Sequence, residues 1–218
     1  MYHYLQDKEF ERRIRRYGGE IMQQLCHNLK VDHDIGAQFY LVGSGSRNLI
    51  TQNGYLPVDL DYNLEIIRCD DFDDGKTLKE CARKAFDKAL NQRNQRNCQD
   101  STSTLTARQI SLGFGHPTFS IDVCITHRHG DDCHHRLIHK KTGLAWQDEY
   151  FWNKAPQSRR LREKAEYIRK NGRWEQVREQ YLHIKNLHLS RGETMEHPSF
   201  TCYAEAVSNV YNTRGNWK

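Results

Sequence analysis

The chain has 218 residues, 37% of them hydrophobic, with 33 Lys and Arg against 28 Asp and Glu and a formal net charge of +5. A mean hydropathy of −0.91, with no apolar run near the roughly 20 residues that span a bilayer, argues against a helical membrane protein. The length suits one globular unit with a small appended subdomain rather than two independent domains.

The N-terminal "MYHYLQDKEFERRIRRYGG" is charged from its seventh residue and lacks the apolar segment of a secretory leader, so a cytoplasmic protein is expected. Seven cysteines (Cys26, Cys69, Cys81, Cys98, Cys124, Cys133 and Cys202) are odd in number and lack C-x-x-C spacing, which predicts reduced thiols. Residues 158–191 hold ten Lys and Arg against four Glu, a local +6, so the rest of the chain sums to −1 and the basic character belongs to one C-terminal segment.

Phe10, Ile14, Tyr17, Ile21 and Leu25 recur at spacings of three and four and predict an amphipathic helix across the Gly18-Gly19 pair. "QFYLV" reads as a short buried strand running into a turn built from Gly43, Ser44, Gly45 and Ser46. In "PVDLDYNLEII" Leu60, Tyr62, Leu64 and Ile66 alternate with Asp59, Asp61, Asn63 and Glu65, so one strand face packs and the other carries carboxylates. A second helix is predicted where Leu78, Ala82, Ala85, Phe86, Ala89 and Leu90 share a side, followed by a polar loop. "TLTARQISLGF" and "TFSIDVCITHRH" predict an antiparallel pair about the turn "GHP", with Asp122 on the polar face of the second strand. "RLIHKKTG" reads as one more strand, and helices are expected at about 158–170, 173–190 and 199–212. The domains expected are a core over 1–155 and a helical subdomain over 156–218.

Two residues apart on a strand, Asp59 and Asp61 aim at one volume from Cα atoms about 6.5–7 Å apart. In a partly desolvated cleft one of them would take up a proton unless a cation neutralised both. A hard divalent ion such as Mg²⁺ answers that need, taking one or two carboxylates together with substrate phosphates, and Asp122 would supply a third. The upstream turn suits the phosphates: glycines let backbone approach an anion closely, Ser44 and Ser46 add hydroxyls, and a helix opening at "RNLITQ" would add its positive end.

This order of residues resembles the DNA polymerase beta-type nucleotidyltransferase superfamily: Val42-Gly43-Ser44, then Asp59-Leu60-Asp61-Tyr62, then Ile121-Asp122-Val123. "GSGSRNLI" is also similar to a turn of the tRNA CCA-adding branch, which brings in Arg47 and Asn48. The resemblance covers roughly residues 36 to 126. It implies an α/β nucleotidyltransferase fold, a mixed sheet flanked by helices with a C-terminal helical subdomain, and transfer of a nucleoside monophosphate from an NTP such as ATP with release of pyrophosphate. It further implies Mg²⁺, or Mn²⁺ in its place, held by Asp59, Asp61 and Asp122. Asp122 would help activate the attacking hydroxyl, while Gly43, Ser44, Gly45, Ser46 and Arg47 would bind the triphosphate. Fourteen residues separate Ser44 from Asp59 and twelve separate Ser46 from it, so either serine is a candidate for the phosphate contact. The acceptor stays open among RNA or tRNA ends, a protein side chain and a small molecule. A non-catalytic nucleotide- or RNA-binding module of the same fold is the alternative.

Three further features have two readings each. The histidine-rich run 127–139 offers His127, His129, Cys133, His134, His135 and His139 as zinc ligands, yet matches no common finger spacing and reads equally as a polar hairpin turning at Gly130-Asp131-Asp132. The basic C-terminal helices are either a solvated face or phosphate contacts. Tyr167, Trp174 and Tyr181 fit a helical core better than base stacking, and His197 is a further candidate for the cleft.

Overall fold

In this computed structural model, which describes residues 1–113, 117–128, 134–155, 159–192 and 199–217, the local signals of the sequence set most element boundaries. A short strand, β1 (Tyr2–Tyr4), precedes the long helix α1 (Lys8–His33). Asp7 caps α1 by accepting from the Phe10 N–H at 2.8 Å, and Asp34, with φ 51°, ends it in a left-handed conformation. Phe10, Ile14, Ile21, Met22, Leu25 and Leu29 form its buried stripe. The Gly18-Gly19 pair has a packing reason: a Cβ on Gly18 would meet the Tyr62 hydroxyl at 2.8 Å and Leu60 at 3.4 Å. Gly18 therefore allows α1 to lie close against the sheet.

Strand β2 (Gly36–Leu41) leads into a single helical turn, α2 (Gly43–Arg47), and then β3 (Thr51–Asn53) and β4 (Val58–Arg68). The helix expected to open at "RNLITQ" is thus displaced. The helical turn lies on the glycine-serine run itself, Asn48 at φ 60° ends it, and Thr51–Asn53 is extended and pairs antiparallel with β1. Asp74 caps helix α3 (Gly75–Asn91) through the Thr77 N–H at 2.9 Å. The strands β5 (Gln99–Asp100), β6 (Leu105–Ile110), β7 (Phe119–Arg128), β8 (His134–Lys140) and β9 (Glu149–Lys154) follow, then α4 (Arg159–Lys170), α5 (Trp174–Ser190) and α6 (Ser199–Asn212).

The chain divides into two compact units, one of Asp7–Gly45 and Pro57–Ala155, the other of Met1–Gln6, Ser46–Leu56 and Pro156–Lys218. Met1–Gln6 and Ser46–Leu56 join the C-terminal helices in the smaller unit: β1 pairs with β3, and the Leu5 N–H bonds the Ile50 carbonyl at 3.2 Å.

In the larger unit the sheet runs β2-β4-β7-β6-β5, with β8 pairing the far end of β7 and β9 pairing β8. β4 and β7 are parallel, and the remaining pairs of this sheet are antiparallel. This is a mixed sheet, and the crossover through α3, β5 and β6 makes the central parallel pair possible. Leu60, Tyr62, Leu64, Ile121, Val123 and Ile125 are buried together with the apolar faces of α1 and α3. Each such side chain contributes on the order of 1.5–3 kcal/mol on burial. The smaller unit has its own core, in which Leu49 joins Ile168, Val177, Tyr181, Ile184, Tyr203 and Val207. Among the described residues no helix is long and apolar enough to cross a membrane.

Candidate active site

The parallel register of β4 and β7 sets Asp61 directly opposite Asp122 and Asp59 opposite Ser120. With neighbouring strands about 4.8 Å apart and side chains alternating, all three aspartates rise from one sheet face, the one turned away from Leu60 and Tyr62. Asp61 and Asp122 are half-buried and Asp59 is exposed. On the other flank of β7, Thr106 stands opposite Asp122 in the antiparallel register and donates its hydroxyl hydrogen to Asp122 Oδ1 at 2.5 Å.

The glycine-serine turn reaches the same carboxylates. The Val42 N–H bonds the Asp61 carbonyl at 2.8 Å, which holds the end of β2 against β4 just before the turn. Gly43 follows with φ +62°, and a Cβ there would overlap Asp61 Oδ2 while lying 2.9 Å from Asp61 Cγ and 3.1 Å from its Cβ. Only glycine lets the turn and this carboxylate share the space. Ser44 is half-buried and Gly45 is buried, where a Cβ would sit 3.1 Å from Leu41.

Ser46 and Arg47 belong to the helical unit, where the Arg47 guanidinium lies 4.4 Å from the centre of the Tyr203 ring. In the same unit Arg178 donates to the Asn48 carbonyl at 2.6 Å and stacks over Tyr4, and Lys185 bonds Thr51 and lies over Tyr2. The basic C-terminal helices thus place several of their cations on aromatic rings. Of the three aromatic residues flagged there, Tyr181 is core, Trp174 is half-buried under Arg169, and Tyr167 is exposed beside Tyr211 and Trp217.

Farther along the carboxylate face, Glu65 is buried and accepts from Arg128 at 2.6 Å and from Gln38 at 2.9 Å. Burial pushes the Cys124 thiol up to about 11, against the nearby cations Arg136 and Lys79 and with Asp61 adding to the rise, so it stays protonated at neutral pH.

An all-carboxylate set on one face suits a hard divalent cation. The close seat of Asp61 against Gly43 is a local fit that a larger residue would destroy. Even so, among the described residues no three or more His, Cys, Asp or Glu side chains lie together closely enough to hold a metal ion.

In the histidine-rich run, His139 and His127 have separate partners. His139 is buried between Asp100 at 2.6 Å and Asp148 at 2.9 Å and stacks on Tyr150. His127 lies against Phe72 and Trp152. β7 and β8 pair antiparallel through Thr126↔Arg136 to Arg128↔His134. His129, Cys133, the Gly130-Asp131-Asp132 turn, most of the "GHP" turn and His197 lie outside the described residues. Thr106 escaped the sequence reading; its signal was the polar position between buried Leu105 and Ala107 in "TLTARQI".

The fold is that of the nucleotidyltransferases, a mixed sheet flanked by helices and followed by a helical C-terminal part. Comparison by sequence finds no matching family model and no matching curated relative. By structure the chain is similar to Vibrio cholerae DncV in its 3'-deoxy GTP-bound form, with a TM-score of 0.68 at 9% identity over 96% of this chain and 67% of that one. It is also similar to Escherichia coli MS115-1 CdnC with ATP, with a TM-score of 0.55 at 16% identity over 93% of this chain and 61% of that one. A third neighbour is the Elizabethkingia meningoseptica CdnE cyclic dinucleotide synthase with GTP and Apcpp, with a TM-score of 0.54 at 12% identity over 88% of this chain and 68% of that one. The chain spans about three fifths of the length of the CdnC protein and about two thirds of the other two.

Proposed function

We propose that this protein is a metal-dependent nucleotidyltransferase that moves a nucleoside monophosphate from an NTP to an acceptor hydroxyl and releases pyrophosphate. The observation that carries the reading is the parallel register that sets Asp61 opposite Asp122, with Gly43 seated against the Asp61 carboxylate. Asp61 and Asp122, directly opposite each other, would hold Mg²⁺ together with the substrate phosphates, with Asp59 on the same face as the third carboxylate, and the ion would supply charge stabilisation of the phosphoryl oxygens. Asp59 and Asp61 orient the α-phosphate end of the substrate. Gly43, Ser44 and Gly45, small or without a side chain, let the triphosphate approach the backbone. The acceptor oxygen attacks the α-phosphorus, the bond to the bridging oxygen breaks, and pyrophosphate leaves with the electron pair. Asp122 receives the hydroxyl proton. The chain's own contribution is positioning and charge placement.

The acceptor in this reading is the hydroxyl of a second nucleotide. Support comes from the structural neighbours, one described as a cyclic dinucleotide synthase with GTP and Apcpp and others bound to 3'-deoxy GTP or ATP. The test incubates the protein with each α-³²P-labelled NTP, alone and in pairs, with Mg²⁺ or Mn²⁺. A phosphatase-resistant labelled nucleotide product supports it, whereas label on added RNA or on protein moves the acceptor to those classes. That no three His, Cys, Asp or Glu side chains among the described residues lie closely enough together to hold a metal ion favours a second reading, a non-catalytic nucleotide-binding module. That reading wins if NTP binds and no label moves.

A further inference from the structure

We propose that Thr106 is a positioning residue for Asp122: its hydroxyl, at the end of a hydroxyl chain from Ser101 through Thr104, fixes one carboxylate oxygen so that the other alone faces the metal and substrate. The inference rests on the reading of Asp122 as a metal-binding carboxylate. Thr106 Oγ1 lies 2.5 Å from Asp122 Oδ1, Thr104 Oγ1 lies 3.3 Å from Thr106 Oγ1, and Ser101 Oγ lies 2.7 Å from Thr104 Oγ1.

The direction of these bonds follows from counting protons. An ionised carboxylate only accepts, so the single hydroxyl hydrogen of Thr106 is committed to Asp122. Toward Thr104, 3.3 Å away, Thr106 can then only accept, while the Ser101 hydroxyl bonds the Thr104 carbonyl at 3.0 Å and lies 2.7 Å from the Thr104 hydroxyl. The Thr106 hydrogen therefore points toward Asp122. A charge-assisted O–H···O⁻ bond of this length is among the stronger neutral-donor contacts a carboxylate makes. It holds the side chain in one rotamer with Oδ1 occupied, which leaves Oδ2 to meet a cation from one direction.

The strand register builds this arrangement into the backbone. Thr106 and Asp122 are direct partners across β6 and β7, while Asp61 is the partner of Asp122 across β4 and β7. Asp122 thus has a hydroxyl on one flank and a carboxylate on the other. The bulge between Ala107 and Ile110, where Gln109 has φ 55°, begins just after Thr106, so the pairing that aligns it with Asp122 is kept and the irregularity falls beyond.

The test compares the full-length protein with Thr106→Val, which removes the hydroxyl at nearly constant shape, and Thr106→Ser, which restores it. Three readouts are taken: Mn²⁺ affinity by electron paramagnetic resonance in the presence of a non-hydrolysable NTP, kcat and KM for label transfer, and the melting temperature without ligand. The expected result is a tenfold or greater loss of Mn²⁺ affinity and of kcat in Thr106→Val, with the KM for NTP within about twofold, and recovery of both in Thr106→Ser at an equal melting temperature. Unchanged Mn²⁺ affinity in Thr106→Val, or a Thr106→Ser variant as impaired as Thr106→Val, overturns the proposal. If the wild-type protein moves no label yet binds Mn²⁺, the enzyme reading fails and the Mn²⁺ comparison alone decides the role of Thr106. If it binds no Mn²⁺, the positioning role falls as well.

Discussion

Replacing Gly43 with alanine tests the join between the turn and the carboxylates. The backbone there has φ +62°, a left-handed conformation that costs an L-residue about 1–2 kcal/mol. The added Cβ would also overlap Asp61 Oδ2 and stand 2.9 Å from Asp61 Cγ. The Asp61 main chain is tied to Val42 at 2.8 Å and cannot retreat easily, so the side chain must rotate. Forcing it off its rotamer costs on the order of 0.5–1.5 kcal/mol. Together these give about 1.5–3.5 kcal/mol, which at a slope of about 2 kcal/mol per M moves the urea midpoint by roughly 0.8–1.8 M. The effect on chemistry is larger, because a carboxylate displaced by about 1 Å costs on the order of 100-fold in rate. Urea denaturation and label transfer are measured on the same preparation. A Gly43→Ala protein within about 0.5 kcal/mol of wild type and within twofold in rate would refute the close seat of Asp61 on this turn.

Ser44→Ala is expected to raise the NTP dissociation constant several-fold with an unchanged melting temperature, measured by titration calorimetry; an effect confined to Ser46→Ala would instead assign the phosphate contact to that serine. For Glu11, burial pushes the carboxyl up, but the bonds from Arg15 and Lys8 outweigh burial and hold it below its ordinary value of 4.5. Its folded pKa is depressed, so its contribution to stability is present above about pH 4.5 and fades as pH falls through the folded value. Acid titration of Glu11→Gln by circular dichroism should therefore show a flatter decline than wild type below that pH, and superimposable curves would remove Glu11 from the acid transition.

Helices α1, α3, α4, α5 and α6 were legible in the sequence because each repeats apolar residues at a period near 3.6, and Asp7 and Asp74 mark two of the starts. The strand β4 announced itself by strict alternation. β9 did not: Tyr150, Phe151 and Trp152 run together as aromatics, so the sequence shows no alternation, and the strand is defined by pairing with β8 and by the bond of Trp152 Nε1 to the Phe72 carbonyl at 2.7 Å. The membership of Met1–Gln6 and Ser46–Leu56 in the helical unit was equally invisible, since it depends on partners such as Tyr4 and Arg178, 174 positions apart. At the site, sequence alternation put Asp59, Asp61 and Asp122 on polar strand faces, but alternation cannot reveal register. The pairing of Asp61 with Asp122, and of Asp122 with Thr106, comes from the order of strands in the sheet.

The account stands most directly on the transfer of label from α-³²P-labelled NTP by the wild-type protein, Asp61→Asn and Asp122→Asn, with Mg²⁺ present and the fold of each checked by circular dichroism. It predicts a labelled nucleotide product and stoichiometric pyrophosphate from the wild type. It predicts none from either variant, at least 1000-fold below wild type, which is about 4 kcal/mol of lost transition-state stabilisation. Transfer that persists in a correctly folded Asp61→Asn or Asp122→Asn protein would contradict it.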